Sequence, residues 1–282
     1  MKKLLELRRR PLSLILRLAV LATAGVVIAL IIFLVGYILV RGVPHIKPSL
    51  FAWRYTSENV SMLPAIVNTL LITALSLAIA APLGIFAAVY LVEYSRRGNR
   101  IVGVVRMAAE TLSGIPSIVY GLFGALFFVE RLRLGISLLS GALTLAIMIL
   151  PLIMRTTEEA LLSVPDAFRE GSFGLGAGRL RTVFAVILPS AVPGILAGVI
   201  LAVGRVVGET AALIFTSGSV PKVPSSLFSS ARTLSVHMYT LANEGLHVNE
   251  TYATAVVLLL LVVGINALSG FAAKKLTGGR NG

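Results

Sequence analysis

The chain has 282 residues, 57% of them hydrophobic and only 13% charged, a balance that excludes a soluble domain with one anchor and points to a polytopic membrane protein. Its net charge of +13 arises from 25 Lys and Arg against 12 Asp and Glu. There is no cysteine, which excludes disulfides, thiolate metal sites and iron–sulfur clusters.

A helix needs roughly 20 apolar residues to cross about 30 Å of hydrocarbon. Uncharged runs meet this at residues 18–40, 65–92, 111–129, 135–154, 182–204 and 251–273, predicting six membrane helices in an all-α fold. They form one transmembrane domain at 18–273, between basic tails at 1–17 and 274–282. The first run is 23 residues long and no small-x-small site closes it before Arg41, so a retained helix is expected rather than a cleaved signal peptide. The loop at 41–62 carries Trp53 and Tyr55, side chains suited to the membrane interface. Pro82 and Gly84 predict a kink in the second helix. Along that helix Asn68, Thr69, Thr73 and Ser76 form one polar edge, read as helix packing.

Before the third run stand Arg106 and Glu110, four residues apart, read as an interfacial ion pair with a gating role as the second reading. Inside it, Pro116 removes one helical hydrogen bond and Gly114 lets backbone approach closely. The freed carbonyls and the Ser117 hydroxyl are tolerated only when buried or facing a cavity. A kink lining a pore is therefore expected, with an ordinary proline kink as the plain alternative.

The longest inner segment, 155–188, reads as a short amphipathic helix opened by Pro165, a glycine break and a second helix running into Leu188-Pro189. Such a unit either presents a knob to a partner or lies on the bilayer with Phe and Leu at the headgroups. Gly174, Gly176 and Gly178 do not cradle phosphate, because no preceding strand and no G-x-x-x-x-G-K-[ST] pattern accompanies them. No ATP-binding signature occurs, and no cofactor or metal is expected.

The fifth run continues into Arg205 and Glu209, which at a spacing of four would share one helical face. Each ionised group inside a membrane costs about 2.5–3.5 kcal/mol, so such residues usually face a bundle interior or a pathway. Counted from Ala191, Arg205 lies about 21 Å along the helix, beyond the bilayer centre. Two readings fit. Both residues line a translocation path, Arg205 forking onto anion oxygens, or they form an internal salt bridge that holds helix register. Beyond them, the loop at 217–250 holds Leu227, Phe228, Leu234, Val236, Met238 and Tyr239, a pattern for a short amphipathic helix at the interface or against a binding protein.

With the N-terminus inside, 17 of the 25 basic residues fall on cytoplasmic segments, so both termini are expected in the cytoplasm. The positive charge then reflects topology and anionic lipid, not a nucleic-acid site. His45, His237 and His247 are scattered through outer loops, which argues against a metal centre.

Glu170-Gly171-Ser172, three residues, Gly176, nine residues and Val186-Ile187-Leu188-Pro189 resemble the EAA loop of ABC importer permeases. Gly171 and Ser172 replace the two alanines of that pattern, and Val186 replaces its isoleucine. Gly114-Ile115-Pro116-Ser117-Ile118-Val119-Tyr120-Gly121-Leu122-Phe123 and Arg205-Val206-Val207-Gly208-Glu209-Thr210-Ala211 resemble signatures of phosphate-specific importer permeases. The stretch after Ala211 looks more like the PstA-type subunit than the PstC-type.

The resemblance implies a type I ABC importer permease in the cytoplasmic (inner) membrane of a prokaryote. It implies that Arg205, Glu209, Ser117 and Pro116 line the phosphate path. Glu170, Gly171, Ser172 and Gly176, in a loop spanning about 156–189, would couple to an ATPase. The implied partners are a PstC-type permease, a PstB-type ATPase dimer, which alone would hydrolyse ATP, and an extracytoplasmic PstS-type phosphate-binding protein. Rival readings are a permease for phosphonate, molybdate or sulfate, a gradient-driven secondary transporter, and a phosphate-signalling scaffold. A secondary transporter predicts several membrane acids or an inverted repeat, whereas Glu209 is the only acid deep in an apolar run.

Overall fold

A computed structural model describes residues 11–96 and 98–278. The basic tail at 1–17 lies outside them up to residue 10, and the C-terminal tail beyond residue 278. Among the described residues the chain is helical throughout, with no strand.

Helix α1 is Pro11–Gly42 and α2 is Leu63–Tyr94, whose last turn is π-helical. Then come α3 (Arg100–Ser113), α4 (Ser117–Arg131) and α5 (Leu138–Leu162). A short α6 (Asp166–Gly174) leads to α7 (Arg179–Val207) and α8 (Ala211–Thr216). The chain ends in α9 (Leu234–Glu244) and α10 (Val248–Gly278).

Helices α1, α2, α5, α7 and α10 are each long and apolar enough to span a membrane. The expected third span is not one straight helix. Its segment is divided between α3 and α4, which meet at an angle of 103°. Pro116 lacks an N–H and forces Ile115 out of helical geometry, so the chain turns instead of merely kinking. Pro82, by contrast, sits inside the α2 helix without ending it.

The core is the crossing of α2 with α5, where Ile72, Ala80, Leu145, Met148, Ile149 and Ile153 are all fully buried. Lipid supplies no hydrophobic force between helices, so close van der Waals approach holds them together. Gly84 illustrates this: a Cβ there would stand 3.0 Å from Ile153 Cγ2. Helix α7 packs on the other side of α5, α10 packs on α7, and α1 leans on α10. Helix α1 otherwise stands clear of the body, meeting α10 near its C-terminal end, where Gly42 lies against Tyr252 and Val256 and Tyr37 pairs edge-on with Tyr252 at 5.9 Å.

The segment after α8 does not lie as a free outer loop. It folds back over the end of α5, whose first N–H groups have no partner within the helix. Thr216, Ser229 and Leu227 carbonyls accept from the N–H groups of Ser137, Leu138 and Leu139, each at 2.9 Å. Asn68 donates to the carbonyls of Lys222 (2.9 Å) and Arg232 (3.0 Å), and Thr69 accepts from Leu234 N–H at 2.9 Å. The polar edge of α2 is thus spent on packing. Leu234 and Val236 are buried in the body while Leu227, Phe228 and Tyr239 stay exposed, so the amphipathic pattern expected there is divided between the fold and the surface.

His237 lies fully buried in this cap, 3.4 Å from an Arg232 nitrogen and edge-on to Tyr55 at 6.0 Å. Burial, and then the Arg232 charge, lower its pKa from 6.5 to about 4. The folded state therefore binds fewer protons than the unfolded one between those values. Stability is complete above about pH 6.5 and falls as the pH drops towards 4. Thermal unfolding in detergent across this range should show that slope, and His237→Gln should flatten it. An unchanged slope in the variant would exclude His237 as its source.

Candidate functional site

Two interruptions in the helices come together in space. The first is the turn at Gly114-Ile115-Pro116 between α3 and α4. The second is at Gly208-Glu209-Thr210, where α7 stops and α8 begins. Arg205 and Glu209 therefore do not share a helical face as their spacing suggested, because helical geometry ends at Val207.

Helices α4 and α8 touch almost backbone to backbone: a Cβ at Gly121 would stand 2.7 Å from Ala212 Cα and 3.2 Å from the Ala211 and Ala212 carbonyl oxygens. Tyr120, buried one turn into α4, donates its hydroxyl to the Leu112 carbonyl at 2.8 Å and so bridges the α3–α4 turn. Glu209 is buried. Its Oε1 accepts from Ala212 N–H at 3.1 Å, serving the free donors at the start of α8, and its carbonyl accepts from the Ser235 hydroxyl at 2.6 Å.

Arg205 occupies the last turn of α7 and is half-buried. Among the described residues no carboxylate lies within ion-pair distance of it, so the internal Arg205–Glu209 salt bridge is not formed. Pro116 is exposed and Ser117 half-buried at the start of α4. A fixed cation in a membrane helix suits an anion with several oxygens. Tyr120 was the residue that spacing alone did not single out; its hydroxyl meets the Leu112 carbonyl only because the chain turns between α3 and α4.

The pair Arg106–Glu110 is also replaced. Helix α3 packs on α5, so Arg106 pairs with Glu158 and Glu110 stands 3.9 Å from Arg155. The charges of α5 compete successfully with the neighbour four residues along, because they meet α3 face to face. Glu110 and Arg155 are both exposed, and such a pair contributes little.

The segment 156–189 holds the end of α5, which runs to Leu162, then α6, a glycine turn and the start of α7 at Arg179. Glu170 and Gly171 are exposed on α6, and Ser172 is half-buried with its hydroxyl 2.9 Å from that of Thr182. Phe168 and Leu175 project outward, Leu175 being 91% exposed, beside a groove of about 610 Å³ that reaches Gly176 and Val186. Gly176 has a φ of +81°, which a side chain adopts only with strain. Gly176→Asp should therefore strain this turn by about 1–2 kcal/mol. Melting curves in detergent check this; a wild-type melting temperature in the variant would mean that the turn does not need a left-handed residue.

The family described as the binding-protein-dependent transport system inner membrane component matches residues 80–277. A probable ABC transporter permease protein of Bacillus subtilis, YqgI, is 35% identical over 243 residues, 79% of this chain and 81% of that one. The phosphate transport system permease protein PstA of Yersinia pestis is 36% identical over 215 residues (75% and 72%). The phosphate transport system permease protein PstC of Mesorhizobium japonicum is 34% identical over 238 residues (75% and 71%). In fold, the chain resembles a bacterial ABC transporter involved in the import of the acidic polysaccharide alginate. The TM-score is 0.66 at 15% identity, over 98% of this chain and 100% of that one. It also resembles the inward-facing MetNI methionine ABC transporter, with a TM-score of 0.57 at 20% identity over 86% and 97%. Multi-pass helices, broken spans and sequence agree: this chain belongs to the family of binding-protein-dependent transport system inner membrane components.

Proposed function

We propose that this chain is the PstA-type membrane subunit of an ATP-driven phosphate importer. The observation that carries the reading is Arg205, a membrane arginine with no ion-pair partner among the described residues, set where two broken helices meet. An unneutralised guanidinium is costly in a membrane unless an anion visits it. Phosphate offers paired oxygens that match its fork. The relatives named as phosphate permeases support the same substrate.

In this reading both termini are cytoplasmic, as the distribution of Lys and Arg favours. A PstC-type subunit completes the pathway, and an extracytoplasmic PstS-type protein delivers phosphate. A PstB-type ATPase dimer docks on α6 and performs all ATP hydrolysis. The permease makes and breaks no bond. Arg205 attracts the anion, Ser117 and the α4 N-terminus supply neutral donors, and Glu209 holds α8 in place beside the path.

Labelled phosphate uptake into proteoliposomes holding the chain with these partners is the test. Uptake that needs both ATP and the binding protein supports the reading. Uptake by this chain alone would support a gradient-driven carrier. Preference for molybdate, sulfate or phosphonate over phosphate would reassign the substrate.

A further inference from the structure

The exposed and buried sides of α6 separate two tasks. Glu170 and Phe168 face outward, but Arg169 between them turns into the body, its side chain 16% exposed. There it meets Glu93, 8% exposed, in the last, π-helical turn of α2. Nε donates to Oε1 at 3.1 Å and to Oε2 at 3.4 Å, and Nη2 donates to Oε1 at 2.6 Å.

The rest of the fork is also used. Nη2 donates to the Leu161 carbonyl at 3.0 Å, in the last turn of α5. Nη1 donates to the Val164 carbonyl at 2.9 Å and to Asp166 Oδ1 at 3.1 Å, in the first turn of α6. One planar group thereby joins the ends of α2 and α5 to α6. A lysine would offer neither this planarity nor this number of fixed donors. A second tie reaches the same turn of α2, where the Arg179 guanidinium lies over the Tyr94 ring at 5.3 Å.

We propose that Arg169 and Glu93 form a strut that delivers movement of α6 to α2 and α5, and so sets how much transport each ATP yields. They are positioning residues, and the inference rests on the importer reading above. The hydrogen bonds that Arg169 donates to Glu93 raise the Arg169 pKa above its ordinary value in spite of burial, which keeps the pair ionised. Without the strut, α6 would be joined to the membrane helices mainly by its flanking turns and by the Ser172–Thr182 hydroxyl pair. A push on it would then be absorbed locally.

The complete transporter, reconstituted with ATPase and binding protein, tests this through phosphate imported per ATP hydrolysed. Arg169→Gln and Glu93→Gln should each assemble and hydrolyse ATP while that ratio falls about tenfold. The double variant should be no worse than Arg169→Gln alone, because that substitution already removes the contact with Glu93. An unchanged ratio in either single variant would overturn the strut, as would losses that add in the double. If Arg169→Gln fails to assemble, Arg169→Lys decides: a ratio between those of wild type and Glu93→Gln supports the strut, and a wild-type ratio overturns it. A wild-type complex lacking ATP-driven uptake would overturn the functional reading and the strut together. Active wild type with unaltered variants would overturn only the strut.

Discussion

Arg205→Gln should abolish phosphate uptake while leaving the assembled complex intact. The expected loss is about 100-fold, the effect of two charge-assisted hydrogen bonds at about 1.5 kcal/mol each. Assembly should survive because Arg205 neutralises no carboxylate among the described residues, so its removal strands no buried charge. Removing the cation also eases insertion of α7 into the membrane. Arg205→Lys should fall between the two, since it keeps the charge but loses the fork. Uptake and size-exclusion profiles measured on the same preparations check this. Loss of the complex, instead of loss of transport, would make Arg205 a packing residue.

The second large effect is expected at Gly121. A Cβ there would meet the Cα and carbonyl of Ala212 and the carbonyl of Ala211, all of them backbone and none able to swing aside. Gly121→Ala should cost about 1–3 kcal/mol by forcing α4 away from α8. Gly121→Val should prevent the protein from accumulating, because its two further methyl groups demand a wider separation. Gly103→Ala is the control: nothing lies within 4 Å of its position, so the substitution should be neutral or stabilise α3 by up to about 1 kcal/mol. Melting curves in detergent separate these cases. Wild-type melting of Gly121→Ala would mean that α4 and α8 are not in contact in the native protein.

The spans were legible because a membrane helix satisfies its own backbone and declares itself through a local run of apolar residues. Pro116 marked an irregularity in the same way, since its missing N–H acts on the residues beside it. The turn of 103° could not be read from it, because that angle depends on where α3 finds a partner. Arg106 shows the limit well. Its neighbour Glu110 is visible in the sequence, but Glu158 reaches it first from another helix. Arg169 and Glu93 lie 76 residues apart and carry no mutual signal in the chain.

The sequence by itself determined the class of the protein, its apolar spans and the break at Pro116, though not the one at Gly208. These follow from short-range terms, namely hydropathy and the conformational limits of proline and glycine. The tertiary structure decided which charges pair, that Glu209 steadies α8 while Arg205 has no ion pair among the described residues, and that residues 217–244 close over the helices. Those outcomes depend on competition among distant side chains for one partner, and only packing the helices together settles which of them arrives within hydrogen-bond reach.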